Sequence, residues 1–222
     1  MTDLVARLHQ MDSCAVSDAL DKLGLPGSVT GLQRLSTDQR IAGRVLTVKL
    51  DRAEGRASSL AAHAPRHLCT TAIEAAQPGD IICIEQRTGL DAACWGGNLA
   101  IGASARHVAG VIVEGPARDI DECRQIDFPV FARSATARTA RGRIVEVATG
   151  EPITIGDVTV TPGDYALADA SGVVFIAQAE IARVLETAEA IVAREEAMAQ
   201  ALREGKPVSQ VMGANYEHML KR

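Results

Sequence analysis

Apolar residues near the N-terminus recur with helical spacing. Val16, Ala19, Leu20 and Leu23 fall on one face, and Gly24 with Pro26 ends the run. The pattern predicts a helix over 3–23, broken near Ser13. IAGRVLTVKL (41–50) alternates and is β-branched, which predicts a strand. Residues 65–76 read as a helix with Pro65 in its first turn, closed by Pro78-Gly79-Asp80. Next come a buried strand IICIE (81–85), a helix from about Gly97 to His107 and a strand GVIVE (110–114). A short helix over 119–126 and a strand PVFAR (129–133) follow. From 143 to 176 the pattern changes to short strands split at Gly150, Gly156-Asp157, Pro162-Gly163-Asp164 and Ser171-Gly172, the last strand being VVFIA (173–177). A helix rich in Ala, Glu and Arg then runs from about Ala179 to Arg203, and Gly205 with Pro207 stops it. Without repeat or linker, the alternation predicts one α/β domain over residues 1–222, with helices at both termini.

Composition narrows the class. Aromatic residues make up only 3% of the 222, so the core must be built from Val, Ile, Leu and Ala, as in a layered α/β protein. A net charge of -5 argues against nucleic acid as a partner, because a phosphate-binding surface needs a cationic excess. No apolar run reaches the ~18 residues of a membrane span, and MTDLVARLHQMD lacks the features of a secretory signal. The five cysteines, Cys14, Cys69, Cys83, Cys94 and Cys123, show no metal-ligand spacing. They read as reduced thiols, mostly buried, in a cytoplasmic protein. Only Lys22, Lys49, Lys206 and Lys221 are lysines, which leaves few candidates for lysine chemistry.

The informative segment is WGGNLAIGASARHVAGVIVEGPARD (95–119). A helix of about eleven residues spans ~16 Å, and the strand after it spans ~17–20 Å back. The helix start (Gly96, Gly97, Asn98, Leu99) and the strand end (Arg118, Asp119) are therefore expected side by side, at the sheet edge where open α/β folds bind ligands. A Gly-Gly helix start exposes unpaired N–H groups and suits an anion. Arg118 offers a planar fork for a carboxylate or keto oxygen. Asp119 offers a hard oxygen to a divalent ion. Together they suit a small 2-oxo acid whose developing enolate is stabilised by metal and Arg118. Simpler readings exist for each part. The glycines could form a tight turn, Arg118 could be an ordinary ion-pair partner, and Asp119 with Glu122 fits a capping box.

Other residues carry weaker signals. His63, His67 and Cys69 cluster in sequence, but Pro65 between the histidines argues against shared ligation. Lys49 could form a Schiff base, although a lysine at a strand edge is the plainer reading. Ser17-Asp18 has no accompanying histidine. Glu195 and Glu196 read as solvated on charge pattern alone.

Longer stretches are similar to the RraA-like family, which includes 4-hydroxy-4-methyl-2-oxoglutarate/4-carboxy-4-hydroxy-2-oxoadipate aldolases. They include SDALDKLGLPG (17–27), IAGRVLTV (41–48), PGDIICIE (78–85), WGGNLA (95–100), GVIVEGPARDIDE (110–122), FPVFAR (128–133) and PGDYALADASGVVFI (162–176). The most specific mark is Gly97, twenty intervening residues, Arg118-Asp119, and an acid three positions after Asp119, here Glu122. The resemblance implies a layered α/β sandwich of the swivelling β/α type, assembled as a homotrimer or hexamer. It implies a class II aldolase, dependent on Mg²⁺ or Mn²⁺, that releases pyruvate from a 4-hydroxy-2-oxo acid and also decarboxylates oxaloacetate. The backbone of Gly96, Gly97, Asn98 and Leu99 would hold the substrate carboxylate, Arg118 would contact its oxygens, and Asp119 would ligate the metal. A glutamate on the C-terminal helix of a neighbouring subunit, Glu196 or else Glu195, would serve as acid/base. The chain departs from characterised aldolases at Gly97, where they commonly carry Asp; another acid must substitute, the metal site is looser, or the substrate differs. The family also includes a non-catalytic binder that inhibits a ribonuclease, and the intact Arg118-Asp119 pair favours an enzyme.

Overall fold

A computed structural model of the protein describes residues 4–54 and 67–213. In chain order these form α1 (Leu4–His9), α2 (Ser13–Leu23), β1 (Ser28–Val29), β2 (Gln33–Arg34), β3 (Ile41–Arg52), α3 (Thr70–Ala75), β4 (Ile81–Gln86), α4 (Gly97–Ala105), β5 (Gly110–Ala117), α5 (Ile120–Gln125) and β6 (Val130–Ala135). Then follow β7 (Ile144–Thr149), β8 (Ile153–Ile155), β9 (Val158–Val160), β10 (Tyr165–Ala168), β11 (Val173–Ile176), α6 (Ile181–Arg203) and α7 (Val208–Val211).

Strands β3, β4, β5 and β6 lie parallel in that order, as the alternation of strand and helix requires. Their apolar residues are continuous because both faces are covered. Ile82, Ile84, Val111, Val113 and Val130 pack toward α3, α4 and α5. Ile81, Cys83, Ile112 and Phe131 face the other way, against the β8–β9 hairpin. Strand β3 joins two parts of the sheet. Residues Ile41–Arg44 pair antiparallel with β10, Val45–Leu50 pair with β4, and Val48–Arg52 pair antiparallel with β7. A third apolar cluster holds α1, α2 and α6 against β10 and β11, centred on Leu8, Val16, Leu20, Leu167 and Val184. The result is the expected α/β layering with helices toward both ends of the chain. Among the described residues, no helix is long and apolar enough to cross a membrane.

The break near Ser13 is real and has a local cause. Asp12 is the N-cap of α2, and its carboxylate accepts the Ala15 N–H at 2.8 Å. The expected helix over 65–76 is shorter than the sequence suggests. Cys69 is left-handed (φ 65°), so α3 begins only at Thr70; Pro65 and His63 lie outside the described residues. Strands β1 and β2 were not foreseen, because two residues carry no periodicity. They exist through antiparallel pairing with β11 and β6. The one-turn α7 was also unforeseen.

Asp169, at the end of β10, fixes α2 to the sheet. Its carboxylate accepts the Ser13 N–H at 2.8 Å, the Ser13 hydroxyl at 2.6 Å and the Ser171 N–H at 2.9 Å. Burial pushes this carboxyl up, but the Ser13 hydroxyl and the N–H groups of Ser13, Ser171 and Gly172 outweigh burial and hold it below its ordinary value. Its contribution to stability is therefore complete above the unfolded carboxyl value of ~3.9 and is lost as pH falls through the lower folded value. Urea midpoints measured between about pH 5 and 2 should fall less steeply for Asp169→Asn than for wild type. Parallel curves would remove Asp169 as the acid-sensitive clamp.

Candidate active site

The helix start and strand end do meet. Beyond β4 the chain returns alongside β5: the Cys94 N–H donates to Pro116 O at 2.9 Å, the Arg118 N–H donates to Trp95 O at 3.0 Å, and Trp95 bridges Ala117 in parallel. Trp95 anchors this turn. It is buried and stacks on Phe128 with ring centroids 5.9 Å apart. Gly96 and Gly97 are thereby set against Arg118 and Asp119.

Asp119 adopts a left-handed conformation (φ 57°, ψ 39°), which Asp tolerates better than most residues. Its Oδ2 accepts the Gly97 N–H at 3.0 Å and Arg118 Nε at 3.2 Å. Asp119 occupies the N-cap position of α5, yet its side chain makes no capping bond there. The capping-box reading is therefore corrected: the carboxylate serves α4, not α5. The glycines are also more than a tight turn. A Cβ on Gly96 would lie 2.7 Å from Asp119 Oδ2, and one on Gly97 would lie 1.9 Å from Glu122 Oε2. Two carboxylates occupy the space that side chains at 96 and 97 would fill. Their proximity is felt by Cys123, whose thiol is pushed up to about 11 by burial and then by Asp119 and Glu122.

The Gly97 N–H is already committed to Asp119. The N–H groups of Asn98 and Leu99, in the first turn of α4, have no acceptor among the described residues and remain open to an anion. Gly96, Asn98, Leu99, Arg118 and Asp119 all line one cavity of about 800 Å³, within the range of small-molecule sites. A more open cleft of about 590 Å³ shares Arg118 and Asp119 with it and is also lined by Glu122 and Thr136. The Arg118–Asp119 pair stands at the junction, its side chains 40% and 30% exposed.

The far wall of the large cavity could not be read from sequence. It comes from β7 and the turn before it, including Arg141 and Glu146, with His67 ahead of α3 and Thr71 within it. Glu146 accepts the Cys69 N–H at 2.6 Å and the Thr149 hydroxyl, which ties β7 to the start of α3. Local sequence carries little sign of this wall, because β7 meets β3 roughly a hundred residues back along the chain.

The weaker candidates resolve one by one. Lys49 lies 3.5 Å from Glu85 in an ion pair, as the plainer reading expects, and does not line the cavity. Among the described residues, no group of three His, Cys, Asp or Glu side chains is placed to hold a metal. Cys69, Cys83, Cys94 and Cys123 are buried free thiols, and Cys14 is exposed. Burial raises Cys69, Cys83 and Cys94 well above the ordinary thiol range, which keeps them protonated and inert. Ser17 bonds Ser28 Oγ at 2.6 Å. Glu195 is half-buried toward α2, and burial, then Asp12 and Asp18, raise its carboxyl. Glu196 is on the exposed side of α6. No described residue of α6 lines either cavity, so one chain by itself does not bring Glu196 to Arg118.

Fold and site together define an α/β protein with open N–H groups at a helix start and an Arg-Asp pair at one sheet edge. The chain belongs to the RraA-like (aldolase/RraA) family, whose profile matches residues 13–175. It is 27% identical over 210 residues to protein DlpA of Legionella pneumophila, a match covering 95% of this chain but 33% of that relative, so the chain spans about a third of DlpA's length. It is 29% identical over 126 residues to the 4-hydroxy-4-methyl-2-oxoglutarate aldolase of Thermus thermophilus, covering 55% of this chain and 74% of that protein. The crystal structure of an uncharacterized protein from Pseudomonas syringae pv. tomato matches with a TM-score of 0.83 at 26% identity, covering 95% of this chain and 96% of that one.

The Asp119 contacts separate two substitutions. Asn keeps an acceptor for the Gly97 N–H and tolerates a left-handed backbone, so Asp119→Asn should melt within about 4 °C of wild type. Ala keeps neither property, and Asp119→Ala should lose about 1–3 kcal/mol. Thermal and urea denaturation of both variants decide this; equal stabilities would mean that the Asp119–Gly97 bond does not hold the turn.

Proposed function

We propose that the protein is a divalent-metal-dependent lyase of the aldolase type, releasing pyruvate from a 4-hydroxy-2-oxo acid. One observation supports this reading above the others. Arg118 and the carboxylates of Asp119 and Glu122 converge on a helix start whose Asn98 and Leu99 N–H groups are open and whose residues line a substrate-sized cavity. Family membership and the Thermus aldolase relative favour the same reading.

Asp119 and Glu122 would hold the cation, most simply Mg²⁺ or Mn²⁺. The residues suit it: two hard oxygen donors, with water completing the shell, is a usual Mg²⁺ arrangement. Glu122 reaches the space of the missing side chain at Gly97, so the glycine there is compatible with a metal site. When bound, the cation supplies Lewis-acid polarisation of the 2-oxo group. The N–H groups of Asn98 and Leu99 hold the substrate carboxylate. The Arg118 guanidinium donates to the 2-oxo oxygen and stabilises the charge that develops there. Glu196 of a neighbouring copy, in a trimer or pair of trimers, takes the 4-hydroxyl proton through a water. The C3–C4 bond then breaks, its electron pair forms the pyruvate enolate, and protonation at C3 completes pyruvate while C4 leaves as a carbonyl. Loss of CO₂ from oxaloacetate reaches the same enolate.

Pyruvate release should be measured on a panel of 4-hydroxy-2-oxo acids and oxaloacetate. Turnover should vanish on exhaustive chelation and return with Mg²⁺ or Mn²⁺, and borohydride with pyruvate should leave Lys49 unmodified. Full activity after chelation sinks the metal role; no release from any substrate under any metal favours a non-catalytic regulator. The intersubunit acid/base has its own test. Arg118→Ala and Glu196→Ala chains, each inactive, should regain activity when mixed under reassembling conditions. If mixed oligomers form without any gain, and the same holds with Glu195→Ala, the residue is not supplied in trans.

A further inference from the structure

Cleavage of the C3–C4 bond leaves an enolate, and its C3 must then receive a proton. Most titratable groups in the cavity lining are unsuited to that task. Arg118 and Arg141 are guanidinium groups, which do not give up protons in proteins. Asp119 is engaged by Gly97 and Arg118, and Glu146 by the Cys69 N–H and the Thr149 hydroxyl. Cys94 is a buried thiol that burial keeps protonated. His67 differs. Imidazole both gives and takes a proton near neutral pH.

The structure holds His67 by its backbone and leaves one ring nitrogen open. Its carbonyl oxygen accepts the Thr70 hydroxyl at 2.8 Å and the Thr70 N–H at 3.4 Å. Its Nδ1 lies 3.2 Å from Leu68 O, and a carbonyl can only accept, so Nδ1 carries a hydrogen. Nε2 is then the nitrogen free to exchange a proton, and it has no partner among the described residues. The same short segment is tied to two walls of the cavity. The Cys69 N–H donates to Glu146 on β7 at 2.6 Å, and the Cys69 thiol donates to Cys94 O at 3.8 Å. Cys94 leads through Trp95 directly into Gly96 and Gly97. A proton-exchanging ring is thus mounted on a pinned segment beside the strand that delivers the helix start.

We propose that His67 is a further catalytic residue, the acid that protonates C3 of the pyruvate enolate. The C2–C3 π pair of the enolate takes the Nε2 proton of the imidazolium, the C3–H bond forms, and the 2-oxo group is restored. The imidazole is left neutral and regains a proton from solvent, while the proton taken from the 4-hydroxyl passes to solvent in turn. The inference rests on the pyruvate-releasing reading of the site and adds the donor of its last proton. In the reverse direction, neutral His67 removes a methyl proton from bound pyruvate.

That reverse step can be read without any aldol substrate. In D₂O with Mg²⁺, wild type should wash deuterium into the pyruvate methyl group, followed by NMR. His67→Ala should slow this exchange about 100-fold, a usual share for general acid–base catalysis. His67 is exposed, so the variant should fold as wild type does. Trp95, the single tryptophan, lines the cavity, and its fluorescence should report unchanged pyruvate binding. Added imidazole should restore part of the exchange to His67→Ala and none to wild type. A wild type without exchange, a His67→Ala protein that exchanges at the wild-type rate, a loss that tracks weaker binding, or a loss that imidazole cannot relieve overturns the proposal. If exchange behaves as expected but no 4-hydroxy-2-oxo acid is cleaved, His67 stands as the proton donor and the lyase reading falls. If cleavage and exchange both survive in His67→Ala, the lyase reading stands and His67 falls.

Discussion

One carboxylate oxygen holds the candidate site together. Asp119 Oδ2 joins the first N–H of α4 to the Arg118 guanidinium, two groups that lie 22 residues and one residue away in the chain. To reach both, Asp119 takes a left-handed backbone, a cost of about 1–2 kcal/mol for an ordinary residue and less for Asp. A charge-assisted bond to a backbone N–H is of the size needed to offset that cost. Without it, the end of β5 and the start of α4 would be adjacent but not oriented. With it, Arg118 is aimed along the helix start, and the next two N–H groups are left for a ligand.

The fold supplies the rigidity this contact needs. The parallel strands are buried on both faces, so their backbone and side chains are committed to the core and the chemistry is confined to the loops at their carboxyl ends. Trp95, stacked on Phe128 and joined by backbone to Ala117 and Arg118, connects that core directly to the glycine pair. A disturbance of the packing under Trp95 would therefore reach the site through a short chain of contacts.

The glycine pair shows how carboxylates from one element can occupy the space left by missing side chains on another. Gly97 carries no carboxylate, but the absence of a side chain lets Glu122 extend its own into that space. Gly96 does the same for Asp119. What matters to a hard cation or to a developing negative charge is where oxygens and N–H groups lie, and two backbone positions without side chains let two acidic residues of the α5 segment approach the start of α4.

The sequence by itself determined the elements and the main adjacency. Apolar periodicity located β3 to β6, α2 and α6, and simple element lengths brought Gly96-Gly97 to Arg118-Asp119, because a helix and a returning strand of similar length must end near where they began. Asp12 and the glycine turns likewise act within a few residues of themselves. The tertiary structure decided the rest. The cavity wall from β7, with Arg141 and Glu146, depends on pairing with β3 across six intervening helices and strands, and no local pattern encodes that register. The start of α3 was set by Cys69, whose N–H is drawn to Glu146 far along the chain. Asp119 looked like a cap because capping is a local pattern; its side chain instead followed a stronger donor from another element. Glu195 and Glu196 are adjacent and chemically alike, and only the packing of α6 on α2 turned one inward and left the other facing out. Local spacing fixes what neighbours along the chain can do, whereas side-chain direction and long-range pairing are settled by burial of the whole core.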